Sequence, residues 1–297
     1  MARSFARRLG DRIVAHTLFG IIGTVGRMPI DRALDFAHSA GRTIGPKTPR
    51  HRIVLENLER ALPGIPGSER ERIGRESWGH QARLLVETAY PERIYDWTPE
   101  GTGSRVTVDC AIDFRERHEK RVPTIFFTGH IGCFEFLPFT ALTGGLPIAT
   151  LFRSPSNAVI ARRLIQQREP MSGKLIRARR GAAKELATEL RAKRSIGVLV
   201  DQKFTGGEPV DFFGIPAPTN PLVARIAALN GGELIPARCI RRPDNRYHME
   251  IGSPLRLPRG PNRRIDVTAS LKLVTSMVEG WVREHPEQWM WFHRRWG

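Results

Sequence analysis

Cysteine is scarce in this 297-residue chain: Cys110, Cys133 and Cys239 are odd in number, far apart and without CxxC spacing. That pattern excludes a disulfide framework and a cysteine zinc site, and it fits a reducing compartment. Cys133 falls inside the stretch of greatest chemical interest, but cysteine is more often a small buried hydrophobe than a nucleophile. Long apolar runs are lacking too. The run from Ile13 to Val25 is interrupted by His16 and stops at Arg27, short of the about 20 apolar residues a spanning helix needs. No small-residue cleavage site follows it cleanly. With Arg3, Arg7, Arg8 and Arg12 ahead of it, the segment reads as a basic-flanked amphipathic or shallowly inserted helix. The alternative is a buried first helix of the domain that follows.

Acidic residues are the third shortage. Against 47 Lys and Arg stand 30 Asp and Glu, a formal net charge of +17. Such a surplus implies an anionic partner: nucleic acid, an acidic membrane surface, or an acidic protein or substrate. The arginines are spread from Arg3 to Arg295, and no zinc-finger, RNA-recognition or heptad-plus-basic signature accompanies them. No nucleic acid is therefore expected, and a basic nucleic-acid-binding protein stands only as the rival of another class.

Residues 31–90 carry helical periodicity, broken at Pro63-Gly64-Ile65-Pro66-Gly67, and Ser68 with Glu71 has the spacing of a capping box. Asn57 and Glu87 are polar among apolar neighbours. After Val106-Thr107-Val108 the chain alternates short apolar runs with helices, the signature of βαβ units. Strands are expected at Thr124–Phe127, Ile148–Phe152, Leu175-Ile176, Ile196–Val200, Leu234–Ile240 and Tyr247–Ile251. The fold class is α/β: a central, mostly parallel sheet with flanking helices, preceded by a helical membrane-associated segment at residues 1–30, the main domain being 31–297.

Thr128-Gly129-His130-Ile131-Gly132-Cys133-Phe134-Glu135 sits just past the first strand of that set. A helix turns about 100° per residue, so side chains five apart in mid-helix diverge. With His130 in the turn and Glu135 in the opening of the next helix, the carboxylate can fold back on the imidazole as a general-base dyad. The plain alternative is a helix-start histidine with a solvated first-turn acid. Arg153 follows the second strand and Asp201-Gln202 the fourth, so parallel neighbours would bring all of them to one rim of the sheet.

These residues form a longer pattern: Gly129-His130-x4-Glu135, Phe152-Arg153-x3-Asn157, Val200-Asp201-Gln202, Phe212-Phe213-Gly214, and a C-terminal His285-Pro286-Glu287-Gln288-Trp289-x2-Phe292-His293-Arg294-Arg295. In this order, over most of the chain, they resemble the bacterial lipid A biosynthesis late acyltransferases, the lauroyl/myristoyl family. The resemblance implies an enzyme at the cytoplasmic face of the inner membrane. It would move a fatty acyl group from acyl carrier protein to a hydroxyl of a lipid A precursor, without metal or other cofactor. It implies His130 and Glu135 as the catalytic pair, with Arg153, Asn157, Asp201 and Gln202 as substrate-binding residues. Departures at Cys133 and Phe134, where members often carry asparagine and tryptophan, bear on acyl-pocket shape. Acylation of another lysolipid or glycolipid is the alternative within the same chemistry. Arg162, Arg163 and Arg168 are the basic residues expected to meet the acidic carrier protein.

Overall fold

The structure is a computed structural model that describes residues 2–101, 103–155 and 157–296, with backbone alone for 2–9 and 167–172. The side chains of Arg3, Arg7, Arg8 and Arg168 thus lie outside the described residues. Four helices come first: α1 (Ala2–Val25), α2 (Ile30–Ile44), α3 (Arg50–Ala61) and α4 (Gly67–Ala89). The alternating part follows as β1 (Val106–Cys110), α5 (Phe114–Glu119), β2 (Thr124–Thr128), α6 (Phe136–Thr143), β3 (Ile148–Phe152), α7 (Ala158–Ser172), β4 (Lys174–Arg177), α8 (Ala182–Arg191) and β5 (Ser195–Leu199). A hairpin of β6 (Glu208–Phe212) and β7 (Ile215–Thr219) precedes α9 (Leu222–Asn230), β8 (Glu233–Arg242), β9 (Arg246–Ile251) and α10 (Val267–Glu284).

The main sheet has seven strands in the order β1-β9-β8-β2-β5-β3-β4. Every neighbouring pair is parallel except β8 and β9, which matches the mostly parallel α/β expectation. Every residue of β2 is buried, as a central parallel strand covered on both faces requires. Its alternation divides the core. Ile125 and Phe127 join a cluster with Leu186, Val198, Leu234, Val278 and Trp289, while Phe126 faces Phe136, Cys239, Met249 and Leu34 on the other side.

Two local readings need correction. Ser68 and Glu71 make no capping box: Pro66 occupies the N-cap of α4 without a side-chain cap bond, and Glu71 is drawn to His51 at 3.1 Å and Arg75 at 2.8 Å. Two nearby cationic or ring N–H partners outcompete a backbone N–H that water can satisfy. The β6–β7 hairpin was not foreseen. Pro209, Pro216 and Pro218 speak against central strands, yet a two-stranded ribbon tolerates them, and Phe213 (φ 59°) with Gly214 (φ 71°) supplies its two-residue turn.

Helix α1 docks on the rest through Ala15 and Val25, both buried, and through Tyr90 Oη donating to Ile22 O at 2.9 Å and Asn157 Nδ2 to Asp11 O at 2.7 Å. Ile13, Val14 and Ile21 remain exposed. No described helix is long and apolar enough to cross a membrane.

Candidate active site

Strands β2, β5 and β3 are consecutive neighbours, so their C-terminal ends share one rim, where open parallel sheets place their sites. His130 leaves the end of β2, Asp201 the end of β5 and Arg153 the end of β3. Asp201 is buried and is bound three times: His130 Nδ1 donates to Oδ1 at 2.8 Å, the His130 backbone N–H to Oδ2 at 2.7 Å, and Trp289 Nε1 to Oδ2 at 2.7 Å. Burial pushes the carboxyl up, but the His130 charge and these hydrogen bonds outweigh it and hold Asp201 at about 2. Gln202 Nε2 stands 3.1 Å from His130 Nε2. A carboxylate only accepts and an amide nitrogen only donates. This arrangement suits an imidazole that carries its proton at Nδ1, toward Asp201, and accepts from the Gln202 amide at Nε2.

Two glycines allow the turn to pack this tightly. A Cβ on Gly129 would stand 3.0 Å from Val278 Cγ1 and 3.2 Å from Asp201 Oδ2, so a larger residue would crowd the carboxylate. Gly132 has φ +56°, and a Cβ there would meet Cys239 O at 1.9 Å, because Cys133 N donates to that carbonyl at 2.9 Å. Gly132→Ala is expected to destabilise the fold by at least about 3 kcal/mol, since strain and a backbone clash combine. Gly64→Ala, at a position with open space around it, is the control and should stay within about 0.5 kcal/mol. Urea midpoints of the two variants decide the matter: equal midpoints would remove the argument for Gly132.

The C-terminal segment closes the other side. Ile131 bridges Trp289, Gly132 N donates to Gln288 O at 3.1 Å and Met290 N to His130 O at 3.2 Å. Asn57 on α3 holds this segment with Nδ2 bonds of 2.7 Å to Trp291 O and His293 O, and Ser77 on α4 bonds Trp289 O at 2.9 Å. Beneath lies a fully buried ion pair. Arg241 Nε donates to Glu87 Oε1 at 2.8 Å, and Arg241 exchanges two hydrogen bonds with the Gln288 side chain. The polar residues of the helical prelude thus build the site from behind.

His130 opens on a cavity of about 750 Å³. Leu137, Pro138, Leu151, Phe152, Leu175 and Val198 give it an apolar wall, and Glu135, Arg153, Gln202, Arg50 and His293 line it as well. Glu135 occupies the N-cap position of α6, half-buried, on the same cavity as His130. Phe134 lies edge-on to the His130 ring with centroids 5.1 Å apart, and Cys133 is buried, its thiol pushed up by burial. Asn157 is not among the lining residues: its Oδ1 accepts from Val159 N and Ile160 N as the N-cap of α7. Arg163 stacks over Phe19 at 4.3 Å, and Arg162 is exposed. Among the described residues the cluster with metal-ligand spacing is His38, Glu76 and His80. None of these lines the cavity, Arg42 already binds Glu76 at 3.0 Å, and Arg83 and Arg241 add positive charge. Glu76 is thus already paired with His38 and Arg42.

A histidine oriented by a buried carboxylate, facing a deep apolar-walled pocket at the strand ends of an α/β sheet, defines an enzyme site suited to general-base transfer of an apolar group. The chain belongs to the bacterial lipid A biosynthesis acyltransferase family, whose model matches residues 4–297. It is accordingly an acyltransferase of lipid A biosynthesis, and the family implies a lipid A precursor as acceptor. No curated protein matches the chain.

Proposed function

We propose that this enzyme transfers a fatty acyl group from acyl carrier protein to a hydroxyl of a lipid A precursor, as a late acylation at the cytoplasmic face of the inner membrane. The observation that carries the reading is the His130 imidazole, clamped at Nδ1 by Asp201, with Nε2 beside the Gln202 amide on an apolar-walled cavity. The acceptor hydroxyl takes the place of the Gln202 amide and gives its proton to Nε2 as its oxygen attacks the thioester carbonyl. Collapse of the tetrahedral intermediate breaks the C–S bond, and the imidazolium returns the proton to the departing thiolate. Asp201 keeps the tautomer and steadies the imidazolium, as a buried acid does in hydrolase triads. Glu135, the acid expected to pair with His130, lines the same cavity and is its second carboxylate partner. No cofactor besides the acyl donor enters. The exposed Ile13, Val14 and Ile21 of α1 and the net charge of +17 support contact with an anionic membrane surface.

Mass spectrometry of lipids from a deletion strain tests the reading. Lipid A should lose one acyl mass, regained with the wild-type gene and not with His130→Ala. Loss of an acyl mass from another glycolipid or a lysolipid, with lipid A intact, would move the acceptor. An unchanged lipid profile would end the acyl-transfer reading.

A further inference from the structure

The mouth of the cavity holds more positive charge than the reaction at His130 uses. Arg50, the first residue of α3, lines it from one side and Arg153, past β3, from another. Both guanidiniums are exposed to solvent. Among the described residues Arg50 makes no ion pair: it lies over the Phe292 ring at 5.9 Å, and Phe292 is itself stacked on Trp78 at 5.1 Å. This platform fixes where the charge points without neutralising it. The next residue, His293, lines the same mouth, its backbone carbonyl held by Asn57. Of the nearby acids, Asp201 is buried and committed to His130 and Trp289, and Glu135 also lines the cavity.

We infer that Arg50, Arg153 and His293 form a seat for a phosphate group of one of the two substrates, set beside the reacting centre rather than at it. The reasoning is one of charge and position. Two exposed arginines from different elements line one cavity, and planar guanidiniums suit a tetrahedral oxyanion with several acceptor atoms. Their exposure fits a group that arrives hydrated, whereas the transient oxyanion of acyl transfer forms next to Nε2. His293 reports the field. Burial, then the charges of His130, Arg50 and Arg153, depress its imidazole to about 4, against the opposing pull of Asp201. A bound phosphate would compensate those charges and make His293 easier to protonate.

The phosphate could belong to the acceptor or to the prosthetic arm of the donor, and kinetics distinguish them. The seat rests on the acyl-transfer reading only for the identity of these substrates. Each substrate is offered to wild type and Arg50→Gln with and without its phosphate: the acceptor phosphorylated or dephosphorylated, the donor as acyl-phosphopantetheine or acyl-pantetheine. For the one that uses the seat, Arg50→Gln should raise KM about tenfold to a hundredfold, the range of a lost charge-assisted hydrogen bond. Its kcat should change far less, and discrimination between its two forms should disappear. Arg50→Lys should recover part of the loss. Equal losses with both forms of both substrates, or no loss, overturn the assignment. A binding measurement stands independently of turnover. Inorganic phosphate titrated into the wild type should shift the His293 ring resonance in NMR and raise its titration midpoint, and Arg50→Gln should blunt both. A His293 signal indifferent to phosphate in the wild type counts against the seat even if acyl transfer is confirmed.

Discussion

His130→Ala should lower turnover by about 10²–10⁴-fold, the usual contribution of a general base, while the protein remains folded, because the ring is a half-buried site group and not core volume. Asp201→Asn should lose activity on a similar scale for a different reason. Its amide can donate to Nδ1, so the imidazole proton moves to Nε2 and the attacking hydroxyl meets a donor instead of a base. The double variant should be no slower than the worse single variant, since groups that act as one unit cannot be lost twice. Rates that multiply would show that Asp201 and His130 act separately. The pH dependence has a definite sign. Asp201 is held at about 2 in the folded state, below its ordinary 3.8, so its contribution to stability is complete above that ordinary value. It is lost as pH falls through the range between the two. Urea midpoints of the wild type measured across that range check the sign: a stability that does not fall there would contradict the Asp201 assignment.

Glu87→Ala should destabilise the fold by about 3–5 kcal/mol, because it strands Arg241 as a buried charge. Arg241 is enclosed with Glu87 between α4 and β8 and also holds Gln288, so the loss should loosen the segment that carries Trp289. Replacing both partners by leucine should cost less than either single change to alanine, since no uncompensated charge remains. Burial alone would raise Glu87, but the Arg241 charge and hydrogen bonds, Arg83 and Tyr247 lower it. Stability from this carboxylate is thus present above the ordinary glutamate range and declines as pH falls below it. Chemical denaturation at neutral pH settles the prediction. A Glu87→Ala midpoint close to wild type would mean that Arg241 finds water or another acid.

Strand positions were legible because each strand is a short apolar run bounded by glycine, proline or charge, and Ile148–Phe152 has the same bounds in sequence and structure. The hairpin at β6 and β7 was not, since its prolines obey the rules of a ribbon and not of a sheet. Asn57 and Glu87 were visible as polar residues in apolar surroundings, yet their partners lie 234 and 154 residues away. The backbone carbonyls of Trp291 and His293 that Asn57 holds leave no trace in composition. Arg50 was one arginine among many, for nothing local marks it as the one that stacks on Phe292 without an acid.

The sequence by itself determined the α/β class, the rim on which His130, Arg153 and Asp201 meet, and the family. Alternation of apolar runs and the polar residues after them record strand ends directly. Only the tertiary structure placed a carboxylate on Nδ1. Glu135 is near His130 along the chain and lines the same cavity. Asp201 is 71 residues away, yet β2 and β5 pair in parallel. Neighbouring strands lie only about 4.8 Å apart, so the residues just past their ends meet at hydrogen-bonding distance. Strand order is a property of the whole core, and no local stretch of the chain encodes it.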